Sequence, residues 1–303
     1  MGTKELEKNI EEIADSPVLL VGAPRSGTSW LQNMLLSHPA CCGGQESHLL
    51  ASMAYLKRDF ERKADFPRPH GLAAYLTRAE FISALRDMWR TTFQGTIEQS
   101  PGTKVLLEKT PDHALHLTLA DEILPRCKVI HLVRDSRSVI ASLIRASRSE
   151  WGRNWAPGSI DSAAARWVEC VESAEDEGQM LGPDRFMRVH YEELHRNPVA
   201  TMQRILDFIQ LDGDRSLINT MIEGQSIEVT REERTTPVKL RGHLSEENTQ
   251  EPEGFIGEGK IDGWQDELGR RGSSKAWKLT ADLMVRMGYD KTGFAHLPRD
   301  SAS

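Results

Sequence analysis

Residues 18–36, with the sequence VLLVGAPRSGTSWLQNMLL, decide how the chain folds. The stretch begins with an apolar run that is typical of a buried strand, and it ends with an amphipathic segment that starts at Thr28. Between them lies a short loop that contains Gly22 and Gly27. A strand, a glycine-bearing turn and a helix in this order predict a loop that can cradle a phosphate group.

The loop has the glycine spacing of a P-loop, but Thr28 stands where a nucleotide triphosphatase carries its lysine. Ser29 falls on the hydroxyl position of the loop, and Arg25 adds a cation inside the turn. Backbone N–H groups and the amino end of a helix bind anions well. The loop therefore suits a terminal anionic group other than the γ-phosphate of ATP.

The composition indicates a globular protein with no general affinity for polyanions. The chain has 303 residues, of which 27% are charged and 39% hydrophobic, and its net charge is −7. We interpret residues 1–303 as one α/β domain. The acidic balance gives no attraction to nucleic acid or anionic membranes, so an anionic ligand needs a local basic site. The four cysteines lack metal-ligand spacing and no HExxH sequence occurs, so no metal site is predicted.

The N-terminal residues 1–15 are predicted to form a polar helix or a frayed arm. They contain no apolar segment of the kind found in signal peptides or membrane anchors. We therefore predict a cytoplasmic protein without membrane insertion. The sequence gives no prediction of the oligomeric state.

Apolar runs at 105–107, 128–133 and 186–190 predict three further strands, and helical segments separate them. Strands that alternate with helices indicate a parallel sheet with helices on both faces. We predict a P-loop-like three-layer α/β fold with a central, mainly parallel sheet flanked by helices. Residues 57–71 are charged and contain prolines, which indicates a surface excursion, and the last helix is expected at about 274–287.

A second anion site is predicted where the strand at 128–133 ends. Arg134 follows this strand directly, and Ser142 lies about two turns into the next helix. An arginine and a hydroxyl at the carboxyl edge of a parallel sheet can hold a phosphate monoester. A solvated basic helix face is the alternative that the residues leave open. Lys109, just after the strand at 105–107, is expected at the same edge.

The sequence PRSGTSWL at 24–31 resembles the 5′-phosphosulfate loop of sulfotransferases that use 3′-phosphoadenosine 5′-phosphosulfate (PAPS), especially the branch of tyrosylprotein and heparan sulfotransferases. Arg134 and Ser142 match the 3′-phosphate site of this family. Tyr191 matches a tyrosine that contacts the nucleotide, and Lys260 matches a basic residue of the closing segment. The resemblance implies PAPS as cofactor, adenosine 3′,5′-bisphosphate as product, no metal, and these cofactor-binding residues: Arg25, Ser26, Gly27, Thr28, Ser29, Trp30, Arg134, Ser142, Tyr191 and Lys260.

For catalysis, Glu46 in GGQES matches the glutamate base of that branch. A carboxylate near a cationic pocket can take the proton of an acceptor hydroxyl as the O–S bond forms. His48 and His113 are alternative bases, since histidine serves in the cytosolic small-molecule branch and titrates near neutral pH. Lys109 in EKTP is similar to a lysine of the family, and together with Arg25 it is expected to stabilise the developing charge.

The resemblance implies sulfuryl transfer to a hydroxyl of a small metabolite, a carrier-bound intermediate, a carbohydrate or a lipid. Acceptor choice is expected in two insertions that the resemblance does not cover, 57–104 and 145–160, and in a lid loop at 230–260. A P-loop kinase for small alcohols is a second hypothesis, which the missing P-loop lysine disfavours. A third is a non-catalytic nucleotide-binding protein, in which Glu46 and Lys109 could be changed to alanine without loss of function.

Overall fold

The computed structural model describes residues 3–225 and 260–294. Its centre is a five-stranded sheet with the order β2-β3-β1-β4-β5, in which every pair of neighbouring strands is parallel. Helices cover both faces, so the predicted three-layer α/β fold is confirmed, with a sheet that is wholly rather than mainly parallel. The strands are β1 (Val18–Val21), β2 (Cys41–Gly43), β3 (Val105–Lys109), β4 (Lys128–Val133) and β5 (Phe186–His190).

The α-helices of these two ranges are α1 (Thr3–Asp15), α2 (Thr28–Leu36), α3 (Leu49–Ala64), α4 (Arg78–Glu98), α5 (Leu117–Ile123), α6 (Ser136–Ser147), α7 (Ile160–Gln179), α8 (Tyr191–Arg196), α9 (Pro198–Ile209), α10 (Arg215–Glu223) and α11 (Trp264–Arg286). Short 3₁₀ helices occupy Gly71–Ala74 and Pro111–Leu115. A separate antiparallel pair is formed by β6 (Tyr289–Asp290) and β7 (Gly293–Phe294). None of the described helices has the length and apolarity that crossing a bilayer requires.

The residues of β1 explain why the molecule has three layers. Leu19 and Val21 belong to an apolar cluster with residues of α1, α4 and α7, whereas Val18 and Leu20 belong to a second cluster with residues of α2 and α9. All four side chains are at most 2% exposed. A strand that is apolar on both sides is stable only when both faces of its sheet are covered. The run VLLV therefore takes the central position of the sheet.

The position of β1 also brings three functional segments together. Leu20 of β1 lies opposite Lys109 of β3 on one side and opposite Ile130 of β4 on the other. Because all these strands are parallel, their carboxyl ends meet at one edge of the sheet. The glycine loop that follows β1 therefore lies between Lys109 and Arg134, which directly follows β4.

The segment predicted as a surface excursion at 57–71 is helical as far as Ala64, because α3 continues through it. Phe60 of this helix is buried and stacks on Phe81 of α4, with ring centroids 4.2 Å apart. Two lysines of α3 form ion pairs with acidic residues four positions away, which supports an exposed helix face. The prediction of a loop was wrong here because the many charges obscured the apolar spacing of a helix.

The N-terminal arm is helix α1, one of the two predicted alternatives. Ile10 and Ile13 are buried, and α1 packs on α4. The indole Nε1 of Trp89 donates to the carbonyl oxygen of Ala14 at 2.9 Å. The amphipathic face of α1 is therefore part of the core.

The last helix, α11, begins at Trp264, earlier than the predicted start at about 274. Trp264 is buried, and the guanidinium of Arg137 stacks on its ring at 4.0 Å, which attaches the first turn to α6. Gly269 breaks the helix with a φ of 61°. The predicted lid loop lies outside the described residues except for Lys260.

Candidate active site

The loop between β1 and α2 makes close contacts that require its two glycines. A Cβ on Gly22 would lie 2.4 Å from the carbonyl oxygen of Leu132 in β4. Gly27 has a φ of 97°, and a Cβ there would lie 2.6 Å from Cδ2 of Tyr191. Arg25 also has a left-handed backbone, with a φ of 77°, which is strained for a residue with a side chain. The loop thus holds a conformation that its local sequence alone would disfavour.

The end of this loop has unused hydrogen-bonding capacity for an anion. Ser26 is fully buried, and among the described residues its hydroxyl has no hydrogen-bond partner. Gly27 stands at the N-cap of α2 and has no side chain to offer to the amides of the first turn. A buried hydroxyl without a partner costs free energy unless a ligand satisfies it. These observations fit a phosphate or sulfate group at the amino end of α2.

Lys109 connects the loop to the predicted base. Its side chain is 5% exposed, and Nζ donates to Oγ of Ser29 at 3.2 Å and to Oε1 of Glu46. A buried ammonium group needs an anionic partner, and Glu46 provides one. Ser29, Glu46 and Lys109, which were all predicted from the sequence, therefore meet at one point.

The second carboxylate oxygen of Glu46 lies near an exposed histidine. The Glu46 side chain is 31% exposed, and Oε2 lies 3.6 Å from Nε2 of His48. The His48 side chain is 59% exposed, and its φ of 49° is left-handed. Glu46 is thus held by Lys109 through one oxygen and directed towards His48 with the other.

A buried carboxylate on β3 fixes the segment that carries Glu46. Oε1 of Glu108 accepts from Oγ of Ser47 at 2.8 Å and from Oγ1 of Thr110 at 2.7 Å. The backbone N–H of Ser47 donates to Oγ1 of Thr110 at 3.1 Å. Burial alone would raise the pKa of Glu108, but His113 and the two hydroxyl donors outweigh burial and lower this pKa to about 2. Glu108 is therefore an ionised anchor for the segment.

His113, one of the predicted alternative bases, lies behind this anchor and is fully buried. Its Nδ1 lies 2.8 Å from Oε2 of Glu108, and its Nε2 accepts the backbone N–H of Leu50 at 3.3 Å. Both ring nitrogens therefore face buried protein groups.

The residues predicted for the 3′-phosphate lie beside the loop. Nε of Arg25 donates to Oγ of Ser142 at 3.1 Å. Arg134 donates through Nη1 to the carbonyl oxygen of Arg25 at 3.5 Å and through Nη2 to that of Lys260 at 3.2 Å. Its guanidinium stacks on the ring of Tyr191 at 4.0 Å, and its buried Nε has no partner among the described residues. Arg25, Arg134 and Ser142 thus form a cationic corner with donor capacity for an anion.

Trp30 and Tyr191 form an aromatic wall next to the cationic corner, with ring centroids 5.4 Å apart. Nε1 of Trp30 donates to the carbonyl oxygen of Gln225 at 2.8 Å. Tyr191 is 3% exposed, and burial raises the pKa of its phenol, so the side chain is neutral. Trp151, from the loop after α6, lies 5.3 Å from the guanidinium of Arg25. Aromatic faces beside cations suit a nucleotide base.

The residues that support the site were not predicted from the sequence. Glu108 stands directly before Lys109 at the end of a strand, and this position was a usable signal. The contacts of Ser47 and Thr110 with Glu108 could not be seen without coordinates. Gln32 of α2 was missed as well; its Nε2 donates to the carbonyl oxygen of Gly44, the residue after β2, at 2.9 Å. Within the two described ranges, no three metal-ligating side chains come together.

The chain matches the sulfotransferase family over residues 17–215. It is 24% identical over 223 residues to protein-tyrosine sulfotransferase A of Caenorhabditis elegans, and the match covers 73% of this chain and 57% of that protein. It is 25% identical over 206 residues to protein-tyrosine sulfotransferase of Drosophila melanogaster, with 68% and 40% covered. The chain spans about half the length of these curated relatives.

Among solved structures, mouse sulfotransferase SULT7A1 complexed with PAP superimposes with a TM-score of 0.55. The two chains are 14% identical, and the superposition covers 94% of this chain and 91% of the mouse chain. At this level of identity the superposition shows a common fold. The family match spans most of the chain and includes the glycine loop, the cationic corner and the segment from Glu46 to Lys109. The chain therefore belongs to the sulfotransferase family.

Proposed function

We propose that this chain is an enzyme that transfers a sulfuryl group from PAPS to a hydroxyl group of an acceptor. The observation that carries the proposal is the buried ammonium group of Lys109, which contacts both Ser29 of the anion loop and the carboxylate of Glu46. In this proposal, the same ammonium group joins the site of the anionic donor to the general base. Membership of the sulfotransferase family and the PAP in the mouse relative support the proposal.

The residues of the loop and of the cationic corner fit PAPS. When bound, PAPS supplies the sulfuryl group together with a phosphate leaving group. The first-turn amides of α2 and the side chains of Ser26 and Thr28 would hold the 5′-phosphosulfate, because they combine a helix amino end with a buried Ser26 hydroxyl that has no partner within residues 3–225 and 260–294. Arg134 and Ser142 would hold the 3′-phosphate, and the aromatic wall would contact the base.

Glu46 acts as the general base in this proposal. Its Oε2 accepts the proton of the acceptor hydroxyl while Lys109 holds Oε1 and orients the carboxylate. His48 is exposed and lies 3.6 Å from Oε2, so it is placed to pass the proton to solvent. His113 acts indirectly in this proposal. Its imidazole contacts Glu108, and Glu108 holds the segment that carries Glu46.

Lys109 and Arg25 stabilise the negative charge that moves to the leaving phosphate. Sulfuryl transfer resembles phosphoryl transfer in that positioning and electrostatic stabilisation dominate its catalysis. Lys109 donates to Ser29, so its charge lies at the start of α2. Arg25 is held by Ser142, and the carbonyl of Lys260 holds Arg134 from the other side.

Calorimetric titration with adenosine 3′,5′-bisphosphate, and with ATP in the presence and absence of Mg²⁺, tests this function. We expect tight binding of the bisphosphate, about ten- to a hundredfold weaker in Arg134→Ala, and little response to ATP. The matched control is Arg215→Ala, which removes an exposed arginine at the start of α10 and should leave the affinity unchanged. Magnesium-dependent ATP binding without bisphosphate binding would overturn the assignment and favour the kinase.

A further inference from the structure

The peptide group between Arg134 and Asp135 is held at both of its polar atoms. The carbonyl oxygen of Arg134 accepts from the indole Nε1 of Trp167 at 3.0 Å. The backbone N–H of Asp135 donates to Oε1 of Glu192 at 3.0 Å. Trp167 and Glu192 are at most 1% exposed, and hydrogen bonds are strong in such a low-dielectric interior. Because a peptide group is planar, two such bonds fix the backbone direction at Arg134.

The first turn of α8 contacts Arg134 at both of its ends. The ring of Tyr191 stacks on the guanidinium at 4.0 Å. The next residue, Glu192, accepts the backbone N–H that directly follows Arg134 in the chain. One helical turn therefore holds both the charged head and the backbone of the arginine that we assign to the 3′-phosphate.

The start of α6 is capped without Glu192. Oδ1 of Asp135 accepts the backbone N–H of Arg137 at 2.9 Å, which is an N-cap bond. The guanidinium of Arg137 also binds the two carboxylate oxygens of Asp135 at 2.9 and 2.6 Å, so the charge of this carboxylate is balanced. A further buried carboxylate at this point is costly unless it is well satisfied. The contact of Glu192 therefore serves the arginine before the helix rather than the helix itself.

Tyr289, in the hairpin of β6 and β7, orients the Glu192 carboxylate. The Tyr289 hydroxyl donates to Oε2 of Glu192 at 2.7 Å, and Tyr289 is 2% exposed. Arg137 donates to the carbonyl oxygens of Lys291 at 2.7 Å and Asp290 at 3.3 Å, which holds the same hairpin against α6. Each oxygen of Glu192 thus has its own donor, and the carboxylate has one defined orientation.

We propose that Glu192, oriented by Tyr289, is a positioning residue that holds Arg134 for the 3′-phosphate of the donor, and that this arrangement selects nucleotides with a 3′-phosphate over those without one. The inference rests on the function proposed above. A guanidinium binds a phosphate strongly only when its N–H groups point at the phosphate oxygens. A nucleotide without a 3′-phosphate gains nothing from that orientation. Loss of the Glu192 contact therefore weakens the binding of one nucleotide and not of the other.

Calorimetric titration of the full chain with adenosine 3′,5′-bisphosphate and with adenosine 5′-phosphate tests the inference. Glu192→Leu is expected to lower the affinity for the bisphosphate about tenfold and to change that for the monophosphate less than about twofold. Glu192→Gln should restore the bisphosphate affinity, since its amide oxygen can accept from Asp135 and its NH₂ group can donate to the hydroxyl of Tyr289.

The outcomes separate the inference from the proposed function. An equal loss for both nucleotides in Glu192→Leu, or no loss for either, overturns the positioning role of Glu192. A wild-type protein that does not bind the bisphosphate, or binds it no better than the monophosphate, overturns the proposed function itself.

Tyr289→Phe removes a single hydroxyl and decides the question even where Glu192→Leu does not fold. We expect a two- to fivefold loss of bisphosphate affinity, on the order of one weakened hydrogen bond, and an unchanged affinity for adenosine 5′-phosphate. Tyr75→Phe is the matched control, since that tyrosine is 86% exposed. Glu193→Leu is the control for Glu192→Leu, because this neighbouring glutamate pairs with Arg204 instead. An unchanged ratio of the two affinities in Tyr289→Phe contradicts the inference.

A double-mutant cycle shows whether Glu192 acts through Arg134. In an Arg134→Ala background, Glu192→Leu should cause no further loss of bisphosphate affinity, because the side chain that it positions is already absent. A defect that merely loosens the fold would instead multiply the two losses. Losses that multiply in this cycle overturn the inference.

Discussion

The ion pair between Glu46 and Lys109 gives each side chain a defined position at the mouth of the anion loop. Without Glu46, a lysine that is 4% exposed would be left without an anionic partner. Without Lys109, the carboxylate would lose the donor that fixes one of its oxygens. Truncating either residue to alanine therefore changes more than one property, so shape-preserving variants are the better probes.

Glu46→Gln retains an oxygen that can accept from Lys109 but cannot take a proton. We expect kcat to fall by about 10²–10⁴-fold, because the general base is lost, while the affinity for adenosine 3′,5′-bisphosphate stays the same. Steady-state turnover and calorimetric titration measure the two quantities. A kcat close to that of the wild type would contradict the assignment of Glu46, and a large loss in His48→Gln would then indicate histidine as the base.

Glu108→Gln tests whether the buried anchor positions the base. An ionised carboxylate offers one oxygen to Ser47 and the other to His113, whereas the amide of glutamine has only one oxygen. The free energy of unfolding should therefore fall by about 1–3 kcal/mol. We also expect kcat to fall at unchanged bisphosphate affinity, because the anion loop is not altered. Urea denaturation and turnover measure these effects, and Glu98→Gln at the exposed end of α4 is the control. Reduced stability with normal kcat would contradict a positioning role.

At the scale of elements, the β1–loop–α2 unit determines where the proposed donor site lies. Its strand fits only the centre of the sheet, and its loop then opens at the edge where β3 and β4 end. Gly27 at the start of α2 lies close to Tyr191 at the start of α8, so the two helix starts are in contact. A change in this loop should therefore affect the binding of the donor more than the stability of the core.

Gly27→Ala introduces a Cβ 2.6 Å from Tyr191 and places a side chain at a φ of 97°. Because the ring of Tyr191 must move and Arg134 stacks on this ring, we expect bisphosphate affinity to fall by at least about tenfold. Titration calorimetry measures the loss. Gly44→Ala is the matched control, since no atom lies within 4 Å of the added Cβ. Equal affinities of the two variants would contradict the steric argument.

The elements that could be predicted from sequence are those with a strong local pattern. The strand at Lys128–Val133 has a strong apolar pattern, and it was expected at that position. Helix α3 was missed because its outer face is rich in charges and its inner face buries only three residues. The early start of α11 depends on the contact between Trp264 and Arg137, which are distant in sequence.

At the scale of the whole molecule, His190 joins the end of β5 to the C-terminal hairpin. Its Nε2 donates to the carbonyl oxygen of Met287 at 2.8 Å, and its ring packs on Phe294 with centroids 4.4 Å apart. Burial lowers the pKa of His190 to about 4 from its usual 6.5, although the bond to Met287 acts in the opposite direction. The folded protein therefore favours the neutral form of the His190 ring.

This depressed pKa predicts an acid-dependent loss of stability. Between pH 6.5 and about 4 the unfolded chain binds a proton at His190 that the folded chain does not bind, so the free energy of unfolding falls as the pH falls through this window. For this group alone the loss is on the order of 3 kcal/mol. Urea denaturation at several pH values should show a shallower decline in His190→Gln than in the wild type. Parallel declines would contradict this prediction.

The candidate site was predictable where single residues stand at the carboxyl ends of strands, because parallel strands gather these ends at one edge. Lys109 is the last residue of β3, and Arg134 directly follows β4. The supporting contacts were not predictable, because Ser47 and Glu108 lie far apart in sequence and neither belongs to a recognisable pattern. The different surroundings of Glu46 and His113 also needed coordinates. His113 is fully buried and its Nε2 accepts from the N–H of Leu50, and neither fact can be read from the sequence.

Arg25 connects the two proposed phosphate sites. It belongs to the anion loop, its carbonyl oxygen accepts from Arg134, and its side chain donates to Ser142. An anion in either proposed phosphate site therefore restrains the same residue, Arg25. Binding at one site should thus increase the affinity of the other site. We expect a favourable coupling free energy, of about 0.5–3 kcal/mol, between Ser26→Ala and Ser142→Ala in a double-mutant cycle of bisphosphate binding. Strictly additive losses would show two independent anion sites. A non-zero coupling means that the chain recognises the spacing between the two phosphates as well as each phosphate.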